Sequence, residues 1–221
     1  MIWTRRATLI AGLTLALAAI GGCNILGFGG AMVESYRRNS THLVKATYTG
    51  LAGKSWAVVV SADRSILGEN PDLAVWVTTK ITERLVQAQN QIGAGGYVPA
   101  ERVLRYQYDN PSWNAKARED LIHALGVQRL IFIEFSEYRL HEPGNQYLWD
   151  GEAAGTLSVY EAESPQEAAF EKAIQVKFPD KQGFGPNDYT RKAVTTVLCT
   201  RFVDRASWLF YDHQEPYYPD Y

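Results

Sequence analysis

The chain has 221 residues, of which 46% are hydrophobic, 12% aromatic and 21% charged; this composition excludes disorder, collagen and coiled coil as descriptions of the whole. Lys plus Arg number 22 against 24 Asp plus Glu, and Arg5 and Arg6 are the only charges before Glu34. Everything beyond is therefore net acidic, which argues against a nucleic-acid module with its basic face. The remaining length is enough for one compact domain to bury a core without metal or disulfide staples.

The N-terminus, MIWTRRATLIAGLTLALAAIGGCN, has two arginines, an uncharged run rich in Leu, Ala and Ile, and small residues ending at a cysteine. This is the layout of a secretory signal peptide. Arg5 and Arg6 stay cytoplasmic while the apolar helix from about Ala7 to Ile20 enters the membrane. Gly21 and Gly22 then break the helix and offer extended backbone to a peptidase. Ile20-Gly21-Gly22-Cys23 resembles the lipobox of bacterial lipoproteins. The resemblance implies a diacylglyceryl group on the Cys23 thiol, cleavage between Gly22 and Cys23, and acylation of the new amino terminus. Two or three acyl chains hold a protein on a membrane essentially permanently. By analogy with enterobacterial sorting, Asn24 in place of Asp sends such a protein to the outer membrane. A signal anchor is the other reading, because the uncharged stretch continues to Val33, long enough to span a bilayer. The Arg pair also raises twin-arginine export, although TRRATL lacks most of that motif.

Residues 24 to about 50 read as a tether and a lead-in. Ser55–Ser61, SWAVVVS, is a short apolar run expected to form a central strand covered on both faces. Asn70-Pro71-Asp72 reads as a helix start. Leu73, Val77, Ile81 and Leu85 follow at spacing four, with Trp76 beside the stripe, and Gly93 to Gly96 ends the helix. Tyr97 and Val98 form a brief strand, and Pro99 opens a short helix with Val103 and Leu104. Asn110-Pro111-Ser112 repeats the start signal, for a helix carrying Trp113, Leu121, Ile122 and Leu125 that Gly126 closes as a left-handed cap. Val127–Leu140 is the strongest strand signal in the chain.

After the turn HEPGNQ comes a strand around Gly155–Glu161, then a polar link, AESPQEA. Next is a strand in which Phe170, Ile174, Val176 and Phe178 alternate with Glu171, Gln175 and Lys177. A last helix, about Asp188 to Leu209, carries Val194, Val197, Leu198, Phe202, Ala206 and Leu209. The order strand, helices, strand, strand, strand, helix predicts an α/β domain with a mixed sheet of four or five strands. The expected organisation is 1–22 signal peptide, 23–50 lipidated cysteine with tether and lead-in, 51–209 α/β domain, and 210–221 aromatic-rich tail.

This order, with GYVPAERVLRY before the second half and LGVQRLIFIEF entering a strand from Gly126 to Ile133, resembles a group of bacterial envelope lipoproteins and periplasmic domains over roughly residues 55–205. The group includes the curli secretion-channel lipoprotein, the lipoprotein activator of penicillin-binding proteins and the amino-terminal domain of TolB. The resemblance implies periplasmic binding or assembly work without catalysis.

Catalytic signatures are sparse. His42, His123, His141 and His213 show no tight metal-ligand spacing, so neither metal nor cofactor is expected. No nucleophile elbow occurs. Glu134 and Glu137, at odd spacing on one strand, are expected on opposite faces; Asp63 and Glu69 are the other acid pair. Gly93-Ala94-Gly95-Gly96 leaves a helix rather than entering one, so it reads as a helix stop and not a phosphate cradle. With Cys23 lipidated, Cys199 has no intrachain partner and reads as a buried inert thiol.

The C-terminal run WLFYDHQEPYYPDY combines aromatics, prolines and acids with no Lys or Arg. Its rings either finish the core or form a partner strip, since aromatics are over-represented at interfaces. Trp208, Tyr211, Tyr217, Tyr218 and Tyr221 of the tail, with Tyr147 and Trp149 of the preceding hairpin, are the candidate partner-binding residues. The sequence thus points to an envelope binding or assembly protein, tied to the membrane by lipid on Cys23, facing the periplasm and meeting a protein partner. An envelope enzyme with a site built from scattered residues is the alternative.

Overall fold

The structure, a computed structural model, describes residues 40–216. The signal segment, the lipobox with Cys23, the tether, and Tyr217, Tyr218 and Tyr221 lie outside the described residues. The chain forms two units. In the small one, β1 (Thr41–Val44) pairs with β7 (His213–Pro216) as a two-stranded sheet. The large unit, Val44–His213, carries a five-stranded mixed sheet flanked by helices.

Its strand order is β3-β2-β4-β5-β6, with β2 at Ser55–Ala62, β3 at Gly96–Tyr97, β4 at Arg129–Arg139, β5 at Gly151–Glu161 and β6 at Ser164–Phe178. β2 runs parallel to β3 and β4, whereas β4, β5 and β6 form an antiparallel meander. Trp56 to Val60 of β2 are all buried, as a strand covered on both faces must be. One face carries Val58, Val60, Ile131, Ile133, Phe135, Leu157, Ile174 and Val176. Against it lie Leu73, Val77, Ile81 and Leu85 of α2 (Leu73–Gln87) and Val194, Leu198, Phe202 and Ala206 of α6 (Arg191–Ser207). Phe202 stacks on Phe135 with ring centroids 4.4 Å apart. Burying a ring of this size contributes roughly 1.5–3 kcal/mol.

On the opposite face Ala57, Val59, Leu130 and Phe132 meet Val103 of α4 (Ala100–Asp109) and Leu121, Ile122 and Leu125 of α5 (Arg118–Leu125). Gly126 ends α5 at φ 69, and its N–H reaches the Ile122 carbonyl at 2.9 Å, as the sequence predicts. Beyond Phe132 this second face turns polar, with Glu134, Glu171, Gln175 and Lys177 exposed.

Both Asn-Pro signals act in the opposite sense from the reading above. Asn70 is the last link of an unforeseen helix, α1 (Arg64–Glu69), and donates its N–H to the Ile66 carbonyl at 2.9 Å. Asn110 likewise closes α4, with both its N–H and its side-chain amide on the Tyr106 carbonyl. The cause is steric: a residue before proline is pushed out of the helical region, so Asn70 and Asn110 stop helices instead of starting them. α2 begins only at Leu73. After Pro111 there is one 3-10 turn at Trp113–Ala115 before α5 starts at Arg118. Pro99 does precede its helix directly. Gln89–Ile92, α3, follows α2, and Gly93 ends it at φ 65, so the glycine run is a helix stop.

Two corrections concern the meander. The polar link is mostly strand: β5 and β6 are joined by Ala162 and Glu163 alone, and Pro165 is tolerated because β6 is an edge strand. Glu134 and Glu137 share one face, because the β4–β5 register slips between Phe135 and Glu137. The extra residue at Ser136 restores the direction that odd spacing would have reversed.

Candidate functional site

The β4–β5 hairpin is built on a charged base. Arg139 bonds Glu137 at 2.6 Å, Asp150 at 2.8 Å and the buried carboxylate of Glu152. Burial works against the Arg139 charge, but the hydrogen bonds and charges of Asp150, Glu137 and Glu152 outweigh it and raise its pKa. Burial also opposes the Glu152 charge. The Gln175 hydrogen bond and the charges of Lys177 and Arg139 nonetheless hold its carboxyl below the ordinary value.

Above this base Trp149 is buried, donating its indole N–H to the Tyr189 carbonyl at 2.8 Å and stacking on His141 at 4.4 Å. His141 Nδ1 lies 2.8 Å from the Leu148 carbonyl. Trp149 is therefore a packed support, and the surface ring of the hairpin is Tyr147, 84% exposed, beside Leu148, 39% exposed.

The tail residues within the described part are packed. Phe210 is buried and meets Tyr48 edge-on at 6.0 Å, while Thr47 and Tyr48 donate their N–H groups to the Leu209 carbonyl. Trp208 is half-buried and stacks on His213 at 4.5 Å. Tyr211 is half-buried, its hydroxyl 3.4 Å from Ser207 Oγ. The structure does not gather Tyr147 and Trp149 with Trp208 and Tyr211 around any one of the cavities described for the residues 40–216.

A cleft of about 270 Å³ lies between the α1–α2 junction, β4 and the first turns of α6. Leu73 and Trp76 form one wall, and Thr195 and Thr196 of α6 the other. On its floor Tyr138 Oη and Cys199 Sγ are 3.2 Å apart in a hydrogen bond. Burial pushes the Cys199 thiol up to about 11, with the Tyr138 hydrogen bond pulling the other way. Burial and Cys199 push the Tyr138 hydroxyl well above the ordinary phenol range. Both groups thus carry protons at neutral pH, and the floor can hold a ligand by hydrogen bonds without supplying a nucleophile.

Glu69, Asn70, Pro71, Asp72 and Arg191 ring the mouth. α6 starts cleanly there, because Thr190 accepts the Ala193 N–H at 3.2 Å as its cap. Glu69, Asn70-Pro71-Asp72, Trp76 and Cys199 each stand out in the sequence for other reasons, but no motif joins them, since the cleft walls come from three distant segments. Glu134 and Glu137, though on one face, do not line the cleft, and Glu137 is paired to Arg139. Among the described residues no group of three or more His, Cys, Asp or Glu could hold a metal ion, and no helix is long and apolar enough to cross a membrane.

No protein-family model and no curated protein matches the chain. Among solved structures, lipoprotein GNA1162 from Neisseria meningitidis aligns at 12% identity and TM-score 0.44 over 66% of this chain and 93% of its own. The PelC dodecamer subunit from Paraburkholderia phytofirmans aligns at 10% identity and TM-score 0.44 over 78% and 97%. The LpoB C-terminal domain from Salmonella enterica aligns at 13% identity and TM-score 0.34 over 57% and 83%.

Proposed function

We propose that the chain is a lipid-anchored binding or assembly protein of the bacterial envelope, facing the periplasm, without catalytic activity. Membrane attachment is through lipid on Cys23, for which the Ile20-Gly21-Gly22-Cys23 lipobox is the support, and Asn24 favours the outer membrane. The observation that carries the binding half is the hairpin tip. Tyr147 and Leu148 are exposed apolar side chains on a loop whose stem is fixed by Arg139, Asp150 and the buried Trp149. A large ring presented on a pre-ordered loop loses little freedom on binding, which is what an interface anchor requires. Tyr217, Tyr218 and Tyr221 extend the same aromatic chemistry and belong to the proposal as a second contact. The protonated thiol and phenol of the cleft also suit holding better than attacking.

A photo-crosslinking amino acid at position 147 in intact cells tests this. The control is position 108, since Tyr108 on α4 is equally exposed at 86%. A discrete envelope-protein adduct at 147 that is missing at 108 supports the reading. Identical adduct patterns at both positions, or none at either, overturn it.

A further inference from the structure

The mouth of the cleft carries both signs of charge. Arg191 makes no ion pair among the described residues, and neither do Glu69 and Asp72, although all three line the same opening. Exposed carboxylates and a guanidinium gain little by closing on one another in wet surroundings, so both signs of charge stay available to a ligand that spans them. Here they stand apart, on the α1–α2 junction and on the first turn of α6, with a cavity between them. Inside the charged ring the surface changes to Leu73, Trp76 and the Tyr138–Cys199 pair. The cavity is slightly smaller than the about 300 Å³ at which clefts for drug-sized ligands begin.

We infer that this cleft binds a small zwitterion with an apolar or aromatic side chain: an amino acid, free or at the end of a dipeptide. Its ammonium group meets Glu69 and Asp72. Its carboxylate meets Arg191, which can offer a fork of donors, and the Thr195 hydroxyl one turn further along the same helix. Its side chain packs along Leu73 and Trp76 toward the floor, where the Tyr138 hydroxyl is the polar contact. A ligand with one charge would leave the opposite group at the mouth unanswered, and a purely apolar one would leave both. The inference rests on the binding reading proposed above, but involves a different surface from Tyr147.

The test is calorimetric titration of the full chain in detergent with phenylalanine, leucine, the dipeptide Leu-Phe, N-acetylphenylalanine and phenylalanine amide. Saturable binding of the zwitterions is expected, weakened about tenfold or more when either the amine or the acid is blocked. Free amino acid and dipeptide are told apart by which binds more tightly. Arg191→Gln and Asp72→Asn should each lose binding at an unchanged melting temperature. Arg191 is exposed and makes no ion pair among the described residues, and the Asp72 side chain makes no capping bond, so neither change threatens the fold. No saturable heat with any of the five ligands overturns the inference, and so does binding that Arg191→Gln leaves unchanged. Neither variant should alter crosslinking from position 147, so a failure of this inference and a failure of the partner reading give different results.

Discussion

Tyr138 and Cys199, 61 residues apart in sequence, share a hydrogen bond of 3.2 Å at the floor of a cleft that no local motif announces. Burial lifts the Cys199 thiol from 9.0 to about 11, so its reactive thiolate is scarce wherever the chain is folded. The raised folded value means that thiol ionisation leaves folding undisturbed below the unfolded value of 9.0, and opposes it as pH rises from there through about 11. A disulfide-exchange reagent at pH 8 should therefore label Cys199 about a hundredfold more slowly in the native chain than in denaturant. A Cys199→Ala chain supplies the blank. Equal rates in the two states would mean that the thiol is open to solvent and that Tyr138 and Cys199 do not form a closed cleft floor.

Gly155 stands opposite Phe135, one step before the β4 bulge. A Cβ there would lie 2.6 Å from the Glu134 carbonyl oxygen and 3.2 Å from Phe135 Cα, both backbone atoms. Gly155→Ala should then force the two strands apart beside the bulge and cost about 1–3 kcal/mol, the usual range for overpacking. Urea unfolding of the chain reads this as a lower midpoint at unchanged slope. An unchanged midpoint would show that the strands are not held this close.

The same bulge marks where sequence reading stops. Continuous apolar runs mark β2 and the first half of β4, because both faces of these strands are covered, and alternation marks the wet face of β6, because only one of its faces is packed. The stripes of α2 and α6 were legible for the same reason at period 3.6. A bulge leaves no such trace, so Glu134 and Glu137 were assigned to opposite faces. Asn-Pro carries two meanings locally, helix stop and helix start, and only the preceding turns of α1 and α4 decide between them. The hairpin residues Tyr147 and Trp149 were visible as aromatics, but which one is buried depends on the Tyr189 carbonyl 40 residues away. The cleft was invisible because Trp76, Tyr138 and Arg191 lie on segments joined only by the tertiary fold.

Glu152 makes the hairpin base sensitive to acid. Burial opposes its charge, but Gln175, Lys177 and Arg139 hold its carboxyl below the ordinary 4.5. A lowered folded value means that this stabilisation is fully present above 4.5 and fades as pH falls through the folded value. Glu152→Gln should cost about 1–3 kcal/mol at pH 7, within the range for hydrogen bonds to charged groups, while Arg139 keeps Glu137 and Asp150. The gap in melting temperature between wild type and variant should stay constant from pH 8 to about 5 and narrow in stronger acid. A gap that does not depend on pH would mean that the Glu152 charge contributes nothing.

The lipobox makes the most direct prediction. If the membrane attachment proposed for this chain is right, cells fed an alkyne palmitate should label the wild type and not Cys23→Ser. Lipid anchoring and a signal anchor differ in more than the label. With lipidation the mature protein begins at Cys23, and Cys23→Ser should accumulate as a longer precursor, because the cleaving peptidase acts on the lipidated form. With a signal anchor both proteins keep residue 1, both stay in the membrane, and neither takes the label. Mass spectrometry of the amino-terminal peptide together with the label thus separates the two. Label appearing in both wild type and Cys23→Ser would place the acyl chain elsewhere, and the anchoring role assigned to Cys23 would have to be given up.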